Sequence, residues 1–205
     1  MASDRPDTLV IADGGVPWAV AALMGNLPER HQPWVGPVGV SMGGEVVSEA
    51  MHRAVQELAD IHLFAQPMHT SEKPERLTDT TGLLLAAARD ARRLNCQRVL
   101  WPVCCGDDVT GLYRAAELAA LLGRVVSVES APSDRIGPTP EVVIEVPLAD
   151  LTEAQVADLA LDLDLATASC WFEQPGATPG EGSARWKGAL RTAQSARLGH
   201  LAGSA

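Results

Sequence analysis

The feature that most constrains this chain is an alternation. Short β-branched or apolar runs are separated by longer stretches with apolar residues at helical spacing, from Thr8 to about Val128. A parallel strand pair needs a crossover of a dozen or more residues, usually a helix, and this alternation supplies one each time. It predicts an α/β fold with a mostly parallel, doubly wound sheet. The predicted strands are Thr8 to Ala12 (TLVIA), Val35 to Ser41 (VGPVGVS), Ile61 to Ala65, Arg98 to Cys104 (RVLWPVC) and Arg124 to Val128.

The helices between them carry their own marks. Trp18 to Met24 is a short apolar helix behind Pro17, and a proline in the first turn loses no hydrogen bond. From Glu45 to Ala59, residues Val46, Val47, Ala50, Ala54, Val55 and Leu58 form one stripe. Leu83 to Leu94 is an Ala-, Leu- and Arg-rich helix ending near Asn95, and Leu112 to Leu122 is expected to stop at Gly123. The polar stretch His69 to Arg76, containing Pro74, reads as a loop.

The remainder is different in kind. Ala131 to Pro140 is a Pro-containing connector, and Val142 to Val146 is a short extended run. Thr152 is placed to cap a helix over Glu153 to Leu163. A Gly and Pro loop, Gln174 to Ser183, precedes a basic helix from about Ala184 to Leu198. The expected organisation is a single α/β domain over 1–205, with a nucleotide-binding-like core in 1–130 and a C-terminal helical extension in 141–205.

Composition narrows the partners. A net charge of −10 repels the phosphate backbone of nucleic acid, whose binding rests on clustered Lys and Arg. No apolar run approaches the ~20 residues that span a bilayer, and the first residues lack the pattern of an export signal. The expected setting is the cytoplasm, with no nucleic-acid or membrane partner. Four cysteines, Cys96, Cys104, Cys105 and Cys170, are too few and too irregular for a disulfide framework and are read as reduced thiols. The five histidines show no ligand spacing and are assigned no chemistry; the tryptophans are read as core or interface residues.

In a doubly wound sheet, ligands bind beyond the carboxyl ends of the strands. Three turns are expected there. They are Asp13-Gly14-Gly15, Ser41-Met42-Gly43-Gly44, and Cys104-Cys105-Gly106-Asp107-Asp108. Each glycine pair admits two readings, an anion cradle at a helix start or a plain turn. The vicinal cysteines likewise read either as a reactive or soft-metal pair or as inert buried thiols.

Two stretches carry a family likeness. Val146-Pro147-Leu148-Ala149-Asp150-Leu151-Thr152, followed by a helix and Ser169-Cys170-Trp171, resembles the C-terminal segment of 7-cyano-7-deazaguanine synthases, where a PL-x-DL-[ST] junction precedes an S-C-[YW] motif. Val10-Ile11-Ala12-Asp13-Gly14-Gly15 sits where that family has its S-G-G-x-D-S phosphate loop. Ser41 to Gly44 falls at its D-Y-G-Q strand end, Leu83 to Ala91 at its Ala-rich helix, and Gly106-Asp107-Asp108 at its acidic turn.

The resemblance implies a PP-loop ATP pyrophosphatase fold, Rossmann-like and akin to the adenine nucleotide alpha hydrolases. It also implies an ATP-dependent ligase of the queuosine pathway that turns 7-carboxy-7-deazaguanine into the nitrile, with a structural zinc. On that comparison the candidate nucleotide-site residues are Asp13, Gly14, Gly15, Ser41, Gly43, Gly44, Asp107 and Asp108.

The chain departs from the family where chemistry is concentrated. Asp13 replaces a serine hydroxyl, and like charges about 4 Å apart cost ~4 kcal/mol at an effective dielectric of 20. Pro17-Trp18 stands where the motif has its Asp and Ser. Of the four zinc thiolates only Cys170 is matched; the others fall near Gly176, Pro179 and Gly182, none of which ligates a metal.

The expectation is therefore a degenerate, catalytically inactive relative, without zinc and with ATP and magnesium disfavoured, that binds a small purine-like ligand or a protein partner. No catalytic residue is assigned. Two alternatives stand beside it. One is an active ligase with its phosphate site rebuilt at Ser41 to Gly44, and the other a structural or interaction subunit. A homodimer is among the assemblies considered.

Overall fold

A computed structural model describes residues 6–25, 28–36, 41–42, 45–46, 48–69, 79–129, 141–175, 177 and 181–202. Its centre is strand β1 (Thr8–Ile11), buried at all four positions. A strand covered on both faces has to be apolar on both, which is why TLVI shows no alternation. β1 pairs in parallel with β2 (His31–Val35) on one side and with β6 (Arg98–Leu100) on the other, so that Thr8 lies beside both His31 and Arg98. Beyond β2 comes β5 (Met68–His69), and beyond β6 comes β7 (Val143–Glu145). The sheet order is β5-β2-β1-β6-β7 with every pair parallel. Two short strands, β3 (Ser41–Met42) and β4 (Glu45–Val46), form a separate antiparallel pair.

The helices are α1 (Val16–Leu23), α2 (Glu49–Ile61), α3 (Thr80–Arg93), α4 (Val109–Glu129), α5 (Glu153–Asp162) and α6 (Glu181–Ala202). The chain first walks outward from β1 to β5, then returns to place β6 and β7 on the opposite side. With right-handed crossovers, α1 and α2 cover one face and α3 and α4 the other. This is the doubly wound, Rossmann-like α/β architecture expected from the alternation. α5 packs on α1, and α6 on α5.

Three helices stop in the same way. Leu63, Asn95 and Asp164 have φ of 57°, 61° and 51°, and the next residue's N–H returns to a carbonyl five positions back. Those bonds are Phe64 to Ala59, Cys96 to Ala91 and Leu165 to Ala160, at 3.0, 2.8 and 2.9 Å. Each returning residue is buried, as a Schellman-type ending requires. Helix starts are capped by side chains. Ser48 accepts from the Met51 N–H and Asp79 from the Gly82 N–H, while Thr152 and Gln155 form a reciprocal capping box.

Several expected boundaries are corrected. Arg124 to Val128 is not a strand; α4 runs through it to Glu129. Gly123 is not its stop, because a Cβ there would lie 2.8 Å from the Val142 carbonyl, so this glycine lets the helix sit flush on β7. Leu122 and Val126 face the core at helical spacing, and burial overrides the β-propensity of the Val-rich run. The fifth strand is instead β7, within the short extended run Val142 to Val146.

Ile61 to Ala65 is likewise not the third strand. α2 extends to Ile61, Leu63 turns the chain, and the ladder to β2 forms only at Met68 and His69, the latter the first residue of the expected loop. The second strand lies earlier than Val35 to Ser41, at His31–Val35; residues 37–40 lie outside the described ones. The fourth ends at Leu100, before Pro102, which has no N–H for a ladder.

Inside the core, Trp34 on β2 donates its indole N–H to Asp90 on α3 at 2.9 Å, and Arg93 reaches the same carboxylate at 2.7 Å. A fully buried aspartate is thereby paired on both sides. Leu63 is 77% exposed and held in the left-handed region, which costs an L-residue about 1 kcal/mol. Leu63→Gly is expected to raise unfolding stability by ~1 kcal/mol in urea denaturation.

Candidate functional site

β1 is the point from which the two halves of the sheet diverge, so the crevice for a ligand lies between the segments after β1 and after β6. The first of these is Asp13-Gly14-Gly15. Asp13 turns its carboxylate back on its own loop, and Oδ1 accepts the Gly15 N–H at 2.8 Å. One of the donors that an anion would use at the start of α1 is therefore taken by a carboxyl group of the same loop.

Gly14 has φ of 74° and lies beneath two other segments. A Cβ on it would come within 2.8 Å of Ala54 Cβ and of the Met51 carbonyl, both on α2, and 3.3 Å from Trp171. Its own carbonyl accepts the Trp171 N–H at 2.8 Å. The Ser169-Cys170-Trp171 motif is thus laid directly over the turn after β1.

That motif is anchored to α2 by a residue that had drawn no notice in sequence, Glu57. Its two carboxylate oxygens accept from the Ser169 hydroxyl at 2.7 Å and from the Gln174 amide at 2.6 Å. Cys170 points into the core, fully buried. Trp171 meets Phe172 edge-on, and Lys187 of α6 stands 5.8 Å from the Phe172 ring while pairing with Glu173 at 3.3 Å. Of the positions that the resemblance sets against zinc thiolates, Gly182 lies in α6, and 176 and 179 are outside the described residues.

The segment after β6 brings Cys104, Cys105, Asp107 and Asp108 to the same edge. Asp108 accepts the Gly111 N–H at 3.0 Å, capping α4, and Asp107 is exposed beside it. Gly106, with φ of 56°, passes against Thr152 at the start of α5. Ser41 lies in β3, in the separate antiparallel pair with β4, and Gly43 and Gly44 are outside the described residues. The structure thus gathers Asp13, Gly14, Gly15, Cys104, Cys105, Asp107 and Asp108 around the divergence point.

The electrostatics are uniform in sign. Burial pushes the Asp13 carboxyl up, against the pull of the Gly15 N–H. Burial pushes the Cys104 thiol up to about 12, with Glu153 and Asp13 adding to it. Cys105 is raised by burial and by Asp108, and Cys170 by burial and then by Asp13 and Glu173. Thiols in this setting are protonated at neutral pH, so neither nucleophilic attack nor metal ligation is favoured. Among the described residues, no three His, Cys, Asp or Glu side chains are grouped to hold a metal ion.

The fold also joins two histidines that sequence spacing kept apart. His52 on α2 and His69 on β5 have ring centroids 4.8 Å apart, and His52 Nε2 lies 3.1 Å from the Gly36 carbonyl. Burial, then His52, lowers the His69 pKa. Seventeen residues separate them, on two successive elements, so no local pattern announces the pair.

Strand order, parallel pairing and the divergence at β1 define the class, a Rossmann-like doubly wound α/β protein. No protein-family model matches the chain, and no curated protein matches it significantly. Among the described residues, no helix is long and apolar enough to cross a membrane.

Between the ordinary 3.8 of an aspartate and the raised value of Asp13, the folded chain binds more protons than the unfolded one. Stability therefore falls as pH rises through that window. Asp13→Asn keeps an acceptor for Gly15 and removes the charge. It is expected to raise the unfolding temperature at neutral pH, and to raise it less below pH 3.8. For Cys104, a rise from 9.0 to about 12 cuts the thiolate fraction about a thousandfold. Iodoacetamide labelling of this cysteine at neutral pH, followed by mass spectrometry, is expected to be slower than for a free thiol by a comparable factor.

Proposed function

We propose that this chain is a non-catalytic relative of the 7-cyano-7-deazaguanine synthases that keeps the α/β scaffold for binding, either of a purine-like ligand or of a protein partner. The observation that carries the reading is the Asp13 carboxylate on the Gly15 N–H, in the place where the family's loop receives phosphate. A triphosphate approaching that turn meets a carboxyl group already holding the Gly15 N–H, and Trp171 with α2 covers Gly14 beside it. Adenylation needs the α-phosphate held by donors and positive potential, and in this loop the Gly15 N–H is already engaged.

The second support is the lost zinc set. A single thiolate does not hold structural zinc, and the tail around Cys170 has another means of cohesion in the Glu57 bridges and the Trp171 contact. The segment that metal organises in the family is here tied to α2 by hydrogen bonds. An intact scaffold with this loop chemistry fits binding better than turnover.

Titration calorimetry of the chain with ATP and magnesium is expected to show no binding tighter than about 1 mM. Asp13→Ser, which releases the Gly15 N–H and restores a hydroxyl, is expected to bind ATP more tightly than the unaltered chain. Submillimolar binding by the unaltered chain, with AMP formed from ATP in the presence of a 7-carboxy-7-deazaguanine substrate, would overturn the proposal.

A further inference from the structure

The outer end of the sheet brings two imidazoles together on rigid supports. β5 is the last strand on the β2 side, and Val35 of β2 lies in register with His69 of β5. Gly36 directly follows Val35, so Gly36 and His69 stand at the carboxyl ends of neighbouring strands, the edge at which doubly wound sheets hold ligands. His52 comes to them from the first turn of α2, whose start is fixed by the Ser48 cap.

The pair carries two marks of a metal site. The first is distance. Imidazoles held to one ion by bonds of about 2.1 Å, at an angle between the right angle and the tetrahedral one, have ring centres about 4.5 to 5.2 Å apart. His52 and His69 stand at 4.8 Å, their planes tilted by 43°. The second is the hydrogen bond behind His52. A carbonyl only accepts, so the 3.1 Å contact to Gly36 makes Nε2 of His52 the ring donor, and the neutral ring carries its lone pair on Nδ1. A metal-ligating histidine characteristically donates its other N–H to a backbone carbonyl or a carboxylate, which fixes its tautomer and orientation. His69 is exposed and His52 half-buried, so an ion reaches them from solvent.

The ligand chemistry selects the ion. Imidazole suits zinc, copper and nickel, whereas magnesium and calcium require oxygen ligands. No third His, Cys, Asp or Glu joins the pair as a ligand among the described residues, so the remaining positions fall to water. Two nitrogens with water beside them suit copper(II) best, then nickel(II) and zinc(II). Glu49, one turn before His52 on α2, places a negative charge that acts on His69, and the net charge of −10 draws cations to the surface.

We infer that His52, through Nδ1, and His69 form a two-imidazole binding site for a late first-row divalent cation, with Glu49 supplying negative potential beside it. The site shares no residue with the turn after β1, so it stands or falls apart from any reading of the nucleotide site.

Nickel(II) is the probe, because it binds imidazole without oxidising the four thiols. Calorimetric titration of the full chain, first dialysed against a chelator, is expected to show one site with a dissociation constant on the order of 10 µM, and no comparable binding of magnesium. The paramagnetic ion is expected to broaden the ring-proton signals of two of the five histidines. His69→Ala and His52→Gln are each expected to weaken binding about tenfold or more. Glutamine still donates to the Gly36 carbonyl and position 69 is exposed, so both variants are expected to keep the circular dichroism spectrum and the metal-free unfolding temperature. No binding up to about 1 mM nickel(II), unchanged affinity in both variants, or broadening confined to other histidines would overturn the assignment.

Discussion

The turn at the end of β1 is the constraint on which the rest of the structure depends. Gly14 has to take φ of 74° and to carry no Cβ, because α2 and Trp171 close on it from two directions. Its carbonyl holds the Trp171 N–H, so the strand at the centre of the sheet is tied to a residue more than 150 positions later. Through that bond the tail becomes part of the domain. Glu57 strengthens the same joint from α2, and β7 enters the sheet beyond β6.

This closure has electrostatic consequences. Holding Asp13, Cys104 and Cys170 in a poorly solvated region disfavours the negative form of each. An active phosphate loop works by the opposite arrangement, with donors and a helix N-terminus facing an incoming anion. Here the Gly15 N–H at the start of α1 is taken by Asp13 of its own loop. The same economy recurs at Asp108, whose carboxylate caps α4, so both acidic turns at the carboxyl edge serve the backbone beside them.

Much of the architecture was legible because it rests on local chemistry. Thr152 at a helix start, Asn95 after a helix end and the apolar TLVI run each act through near neighbours, and each stands where the sequence places it. The misread segments share a different cause. Arg124 to Val128 has β-branched residues that suit a strand, yet its register toward the sheet depends on Gly123 meeting the Val142 carbonyl, nineteen residues away. Ile61 to Ala65 is apolar enough for a strand, yet the left-handed Leu63 caps α2 and delays pairing until Met68.

At the candidate site the same division holds. Sequence alone determined the α/β class, the acidic character, and the presence of carboxylates and thiols at the carboxyl ends of strands, because periodicity and residue chemistry are properties of short segments. Only the tertiary structure decided that Asp13 folds onto Gly15, that Glu57 holds Ser169 and Gln174, that His52 meets His69, and that α4 keeps a second apolar face in solvent. Those are contacts between elements, set by how crossovers bring distant stretches to one edge of a sheet, and no local pattern encodes them.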